Sequence, residues 1–416
     1  MNGNINTWKE LKIEDLGKVV SGGTPKTNNP NFWDGDINWV TPTDVTSLNG
    51  KKYIYSTKRK ISIEGLKNSS ANMLPVGTLI VCTRATIGAS VVNKVPISTN
   101  QGFKSLITKP EVSSEYMYYW MSNNKNELIK QSSGSTFLEL STTSFKSLSV
   151  LLPSLPEQQK IADILSTVDA KIEVIDQQIS ETQELKKGLM QRLLTKGIGH
   201  TQFKDSPLGK IPVSWEVVKL EQLGDFFKGK GISKAEILEN GQYPCIRYGE
   251  IYTIYDTVIK KFQSFINEES ANNSFQFNSG DLLFTGSGET IEDIGKCVTY
   301  IGSQKAFASG DIIIHRPEKG DSRYLSYYMN SQIIRSQTKK MGQGNSVVHI
   351  YVKHLSQLVL SFPPIIEQER IAKILGSVDD KLEVLEEKKT HYQELKQGLM
   401  QQLLTGNIRV KTEVGV

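Results

Sequence analysis

Apolar residues follow two different rhythms along this chain. In 157–195 and again in 367–405 they recur at alternating steps of four and three. In 1–153 and 203–362 they come as short runs broken by Gly, Asn, Ser and Pro. The first rhythm predicts long helices with a narrow apolar seam, as in a coiled coil. The second predicts short strands in a turn-rich sheet. The first seam is Ile161, Leu165, Val168, Ile172, Ile175, Ile179 and Thr182. Leu185, Leu189 and Leu193 follow one residue out of phase, which predicts a stammer that overwinds the supercoil. The second seam is Ile371, Leu375, Val378, Leu382 and Leu385, then Lys389 and Tyr392, then Leu395, Leu399 and Leu403.

The two helical stretches are one sequence written twice. They align without a gap at an offset of 210 residues, with 22 identities in 39 positions. A repeat of this length means one structural unit occurs in two copies. Each begins just after proline (Pro153 and Pro156; Pro363 and Pro364) and is followed by glycine (Gly197; Gly406), as helix starts and stops should be. Each helix would span about 58 Å at 1.5 Å per residue. So narrow a seam needs a partner helix, and the sister repeat is the obvious one. A parallel in-register pair would set Lys389 opposite the apolar position of Ile179, and an antiparallel pair removes that clash. Gly188 and Gly398 stand at matching places inside the pattern. They imply a close backbone approach or a slight bend, or are simply inherited with the duplication.

The intervening modules are diverged duplicates. Trp8 and Leu16-Gly17 recur as Trp215 and Leu223-Gly224, and the Gly77–Ile80 run as the Gly280–Leu283 run. The aromatic run at 116–121 recurs at 324–329. Strands are expected at 78–82, 282–285 and 312–315, and short helices near 115–130 and 322–338. Segment 197–214 is polar with Gly and Pro throughout and reads as a linker. The division is then 1–153, 154–196, 197–214, 203–362, 363–406 and a tail at 407–416. The fold class is α+β: two α/β modules separated by two long antiparallel coiled-coil helices, in a pseudo-twofold internal repeat. Divergence confined to polar loops on a shared frame suits two binders of different targets.

Bulk numbers narrow the class. The chain has 416 residues, 38% hydrophobic and 22% charged, an ordinary composition for a soluble protein of several domains. Its start has no apolar run, and no stretch of about 18 apolar residues suits a membrane span. Cys82, Cys245 and Cys297 are three, far apart and unpaired in spacing, which fits a reducing cytoplasm without disulfides or zinc. Net charge is +5. Residues 157–196 carry seven acidic and six basic side chains and residues 367–405 eight and six, so the rest of the chain carries +8. A positive excess outside the helices suits a polyanion-binding surface, and ordinary scatter of surface charge would give the same count.

Signatures of catalysis are missing. There is no phosphate-cradling loop motif, and Gly286-Ser287-Gly288 lacks the helix-opening glycine of a nucleotide fingerprint. The five histidines form no metal-ligand spacing. A binding or organising protein outranks an enzyme.

Particular residues then carry a resemblance. Ser21 to Val45 (SGGTPKTNNPNFWDGDINWVTPTDV), Gly229 to Tyr252 (GKGISKAEILENGQYPCIRYGEIY), Leu155 to Ala162 (LPEQQKIA) and Ile366 to Ala372 (IEQERIA) resemble the specificity subunit of type I restriction-modification systems. The second helical opening departs in having Ile366 where the first has Pro156. The resemblance covers essentially the whole chain. It implies two target-recognition domains, each reading one half of a split double-stranded DNA target. The helices would act as a spacer and dock two modification (methyltransferase) subunits. Restriction subunits would complete the complex. It implies no cofactor on this chain: S-adenosylmethionine, ATP and Mg would belong to the partners. It implies no membrane partner. The rival reading is a noncatalytic coiled-coil adaptor whose modules bind protein or sugar.

Base reading needs bidentate side chains, and phosphate anchoring needs Lys, Arg, hydroxyls and amides. The first module offers Thr24, Lys26, Thr27, Asn28, Asn29, Arg84, Asn100, Gln101, Ser135 and Thr136. The second offers Lys228, Lys230, Lys234, Arg247, Tyr248, Ser287, Lys339, Lys340, Gln343 and Asn345. Arg84 and Arg247, each where a strand meets a loop, are the foremost base readers.

Overall fold

The four-three stripe folds into two unbroken helices, Leu155–Lys196 and Ile365–Leu403. The structure is a computed structural model, and it describes residues 8–134, 138–288, 294–341 and 348–412. Two compact units share the helices. The first unit is Met1–Asp176 with Glu387–Val416, and the second is Gln177–Glu386.

Within the first unit the helix segments run antiparallel. Asp169 meets Lys396 at 2.6 Å, Asp176 meets Lys389 at 2.7 Å, and Glu157 meets Arg409, just past the second helix, at 2.7 Å. Numbers rise on one side as they fall on the other. The second unit shows the same order: Lys186 lies 2.6 Å from Asp379, and His200 2.8 Å from Glu367. Lys389 thus faces a carboxylate rather than an apolar residue.

The seam differs from the expected one at two places. Ile161, Leu165, Val168, Ile175, Ile371, Leu375, Val378 and Leu385 are buried, and Ile172, Leu189, Leu382 and Leu399 half-buried. Leu185 and Leu395, however, are 52% and 41% exposed. The next residues, Lys186 and Lys396, take the seam positions, half-buried. The four-three rhythm therefore runs on through Thr182, Lys186, Leu189 and Leu193 with no stammer. The physical reason is the carboxylate opposite each lysine. Asp379 and Asp169 pair with the ammonium groups while the aliphatic stems fill the seam. The expected close approach at Gly188 and Gly398 is also absent. A Cβ added at either would meet nothing within 4 Å, so neither glycine is required by packing in this chain.

Each module is built on the same five-stranded sheet. In the first its order is Gly17–Ser21, Phe103–Thr108, Leu79–Cys82, Ser90–Asn93, Tyr53–Ile54. In the second it is Gly224–Lys228, Ile312–Pro317, Leu282–Thr285, Cys297–Tyr300, Val258–Ile259. In both, three antiparallel pairings are followed by one parallel pairing. One face of each sheet is covered by an aromatic helix, Ser114–Asn123 or Ser322–Met329, whose tyrosines are almost wholly buried. A smaller sheet packs on the other side, containing Trp33–Val40 in one module and Tyr243–Ile246 in the other. Segment 197–214, expected as a linker, contains an antiparallel hairpin, Phe203–Ser206 with Gly209–Pro212. Its Ile211 is buried beside Trp215 in the second unit's core, which a polar count does not reveal.

The EQ dipeptide at each helix start joins helix to module. Glu157 accepts from Trp8 Nε1 at 3.1 Å and from Arg409 Nε and Nη2 at 2.7 Å each. Glu367 accepts from Trp215 Nε1 at 2.9 Å and from the backbone amide of Ile198 at 2.9 Å. The fully buried amides of Gln158 and Gln368 donate to the carbonyls of Pro153 and Pro363 and accept from the amides of Ser113 and Asp321. Further along, Tyr119 donates to Asp169 at 2.7 Å, and Tyr327 donates to Asp379. A module tyrosine, a helix aspartate and a lysine of the opposite helix form the same three-way contact in each unit.

Candidate nucleic-acid interface

At one edge of each five-stranded sheet four loops are stitched together by backbone hydrogen bonds. In the first module the amide of Gly23 donates to Thr99, that of Thr83 to Gly102, and that of Leu140 to Thr83. Gly22 lies against the next loop, where a Cβ would stand 1.9 Å from the Asn100 carbonyl. No side chain fits there, which explains the paired glycines of the SGG motif. In the second module the amide of Gly229 donates to Ile312, that of Gly286 to Asp311, and that of Ile350 to Gly286.

Several nominated residues share the first edge. Thr24 donates to Gln101 across two loops, and Asn100 accepts from the amide of Gly102 at 2.9 Å. Lys26, Thr27 and Asn28 are exposed on the loop before the single turn Pro30–Phe32, which Asn29 caps. Two tryptophans hold that loop from within: Trp39 Nε1 donates to Gly23 and Trp33 Nε1 to Lys26. Arg84 follows Leu79–Cys82 and forms a backbone bridge and a 2.8 Å ion pair with Glu139. Ser135 and Thr136 lie outside the described residues.

At the second edge Lys230 is exposed, and its amide donates to Ala308 at 3.1 Å. Ser287 Oγ lies 3.0 Å from His349 Nδ1, and the Ser287 carbonyl accepts from the Tyr252 hydroxyl at 2.6 Å. Arg247 begins the helix Tyr248–Thr253, its amide donating to Glu250 at 2.7 Å. The preceding carbonyl of Ile246 accepts from Ser309, which brings this segment to the same edge. Arg247 is half-buried and Tyr248 39% exposed. Arg84 and Arg247 are not equivalent positions. The counterpart of Arg247 is Thr41, which likewise precedes a short helix and donates its amide to Asp44 at 2.8 Å. Lys228 ends a strand, Lys234 starts a single helical turn, and Lys339 and Lys340 end the helix Gln332–Met341, all exposed. Gln343 and Asn345 lie outside the described residues.

The structure adds groups that sequence reading passed over. Arg59 sits 4.0 Å from the ring centroid of Trp33, with Lys58 and Lys60 exposed beside it. The basic triplet was the available signal. Tyr351, 48% exposed, stacks on His349 with ring centroids 6.2 Å apart and the planes tilted by 24°. An exposed aromatic face beside donors suits base or sugar contact. Reactive thiols are no part of this surface: burial pushes Cys82 up to about 11 and Cys245 up to about 12. What the edges offer is cations, amides, hydroxyls and aromatic faces for hydrogen bonding and stacking.

Comparison with known proteins agrees with this picture. A family model described as the type I restriction modification DNA specificity domain matches residues 5–184 and again 212–396. Among curated relatives, the type I restriction enzyme MjaIX specificity subunit of Methanocaldococcus jannaschii is 27% identical over 97% of this chain and 94% of its own. The MjaVIII specificity subunit of the same organism is 27% identical over 97% and 93%. The crystal structure of a type I restriction-modification S subunit from M. genitalium shares the fold with a TM-score of 0.58, at 14% identity over 97% of both chains. With two family matches spanning both modules and most of both long helices, this chain belongs to the type I restriction-modification DNA specificity family.

Proposed function

We propose that this chain is the sequence-specific DNA-recognition subunit of a type I restriction-modification complex and is noncatalytic by itself. Each module, 1–153 and 203–362, reads one half of a bipartite target, and the helix pair sets the gap. The observation that carries this is the repeated loop edge. One backbone frame presents Arg84 and Glu139 in one module and Ser287 and His349 in the other. Identical frames with different edge chemistry are what two readers of different half-sites require. Family membership disfavours the adaptor reading with protein- or sugar-binding modules.

The nominated loop residues serve this reading in two ways. Lys26, Lys230, Lys234, Lys339 and Lys340 anchor phosphates; Arg84, Asn100, Gln101 and Arg247 face bases. Two modification subunits, bearing S-adenosylmethionine, dock on the outer helix faces, and restriction subunits supply the ATP- and Mg-dependent steps. The complex works in the cytoplasm, where its DNA is. The test is the pattern of methylated adenines in DNA from cells expressing the complete system. A split motif is expected. Arg247→Ala relaxes or abolishes recognition of one half only; failure of both halves together contradicts modular reading.

A further inference from the structure

The two modules can be compared position by position, because their sheets share one register. Val81 pairs with Lys104 in the first, and Phe284 with Ile313 in the second. Two residues past each inner strand comes the bridge, Arg84 to Glu139 and Ser287 to His349. Lys104 and Ile313 are therefore the same place, as are Arg84 and Ser287. The first module puts three charges where the second puts none that is permanent.

The arrangement of those charges is specific. Glu139 Oε2 lies 2.8 Å from Arg84 Nη2, with side chains 35% and 46% exposed. Lys104 is only 6% exposed, on the helix-covered face with Leu106. Burial lowers its affinity for the proton, and the field of Glu139 offsets only part of that while Arg84 adds to it, so the net direction is downward. A carboxylate at an edge meant for DNA would repel phosphate. Here Arg84 itself neutralises the carboxylate and Lys104 adds a positive charge on the adjoining strand, so Glu139 can fix the guanidinium without a net negative charge. Guanidinium has five donors in a fixed plane, and the ion pair with Glu139 runs through Nη2, so further donors remain for guanine O6 and N7.

We infer that Arg84, oriented by Glu139 with Lys104 as a second positioning residue behind it, imposes guanine at one position of the half-site read by the first module. Ser287 and His349 impose no guanine at the equivalent position of the other half. This rests on the DNA-recognition reading and names what that reading leaves open.

The test compares adenine methylation in cells expressing the complete system with wild-type chain, Arg84→Lys, Lys104→Ile and Lys104→Arg. Arg84→Lys keeps charge and reach but loses the fork. Methylation at targets with another base in place of one guanine should rise about tenfold or more relative to the guanine target. The second half-site should be unchanged. Lys104→Ile copies the second module, so the frame tolerates it; it should broaden the same position, and Lys104→Arg should restore it. A purely structural lysine would change the amount of methylation, not the base at one position. Unchanged motifs in Arg84→Lys, broadening at a base other than guanine, or loss of methylation at every site each overturn the inference. A wild-type system giving no split motif overturns the DNA-recognition reading instead.

Discussion

His315 is a histidine placed where the first module has a leucine. It pairs with Leu282 across the sheet as Leu106 pairs with Leu79. It is fully buried, and its Nε2 lies 3.2 Å from the Leu220 carbonyl. Burial, opposed by the bond to Leu220, holds it down to about 4. The folded value lies below the ordinary 6.5, so between the two the unfolded chain binds a proton that the folded one refuses. Stability is therefore full above 6.5 and falls as pH drops toward 4, by on the order of 3 kcal/mol. Chemical denaturation at a series of pH values should show this slope for the second unit, and His315→Leu should flatten it between 6.5 and 4. A slope that persists in the variant assigns the acid sensitivity to other groups. Such residues are hard to read from sequence. IIIH looks like any apolar strand with a polar end, and only the register shows the ring facing the core. The same holds for Arg84 and Glu139, which are 55 positions apart in sequence and joined only by a loop bridge. Apart from Arg84 and Arg247, each where a strand meets a loop, the loop candidates have only their residue types in common.

At the scale of elements, periodicity was a good guide to the helices and a poor one to their seam. A count of apolar residues takes Leu185 and Leu395 and shifts phase. The structure keeps phase and takes Lys186 and Lys396, because what matters there is a carboxylate on the opposite helix. Strands and short helices were legible from their apolar runs, and the duplicated sheet from the echoes between modules. The hairpin inside 197–214 was not, since two strands of four residues carry too little pattern. The lysine seam positions predict a measurable coupling. Lys396 and Asp169 are 25% and 29% exposed, so solvent screens them only in part. A double-mutant cycle with Lys396→Met and Asp169→Asn should give a coupling of about 1 kcal/mol, above the usual surface pair. Tyr119 shares the aspartate, so Tyr119→Phe should reduce that coupling. A cycle that closes to zero would make the pair incidental and leave the seam to its apolar members.

At the scale of the whole molecule, both long helices leave one unit and enter the other, Leu155–Lys196 after Asp176 and Ile365–Leu403 after Glu386. The count of residues between modules is thus set twice. Under the spacer reading it is a length written in helix turns. Seven residues inserted after Asp176 and seven after Glu386 preserve the four-three phase. They also preserve every ion pair described above, since each joins residues of one unit. Under the spacer reading the two insertions would extend the antiparallel pairing together. That stretch is about 10.5 Å long at 1.5 Å per residue, the rise of roughly three base pairs at 3.4 Å each. The motif methylated by the complete system should then keep both half-sites and gain about three unspecified positions between them. Seven residues in one helix alone leave the other short, so pairing fails in one unit and methylation should be lost. Because three base pairs turn the duplex by roughly a third of its ten-pair repeat, methylation by the double insertion should be weaker than wild type. Two insertions that leave the gap unchanged would show that something other than helix length measures the distance between half-sites.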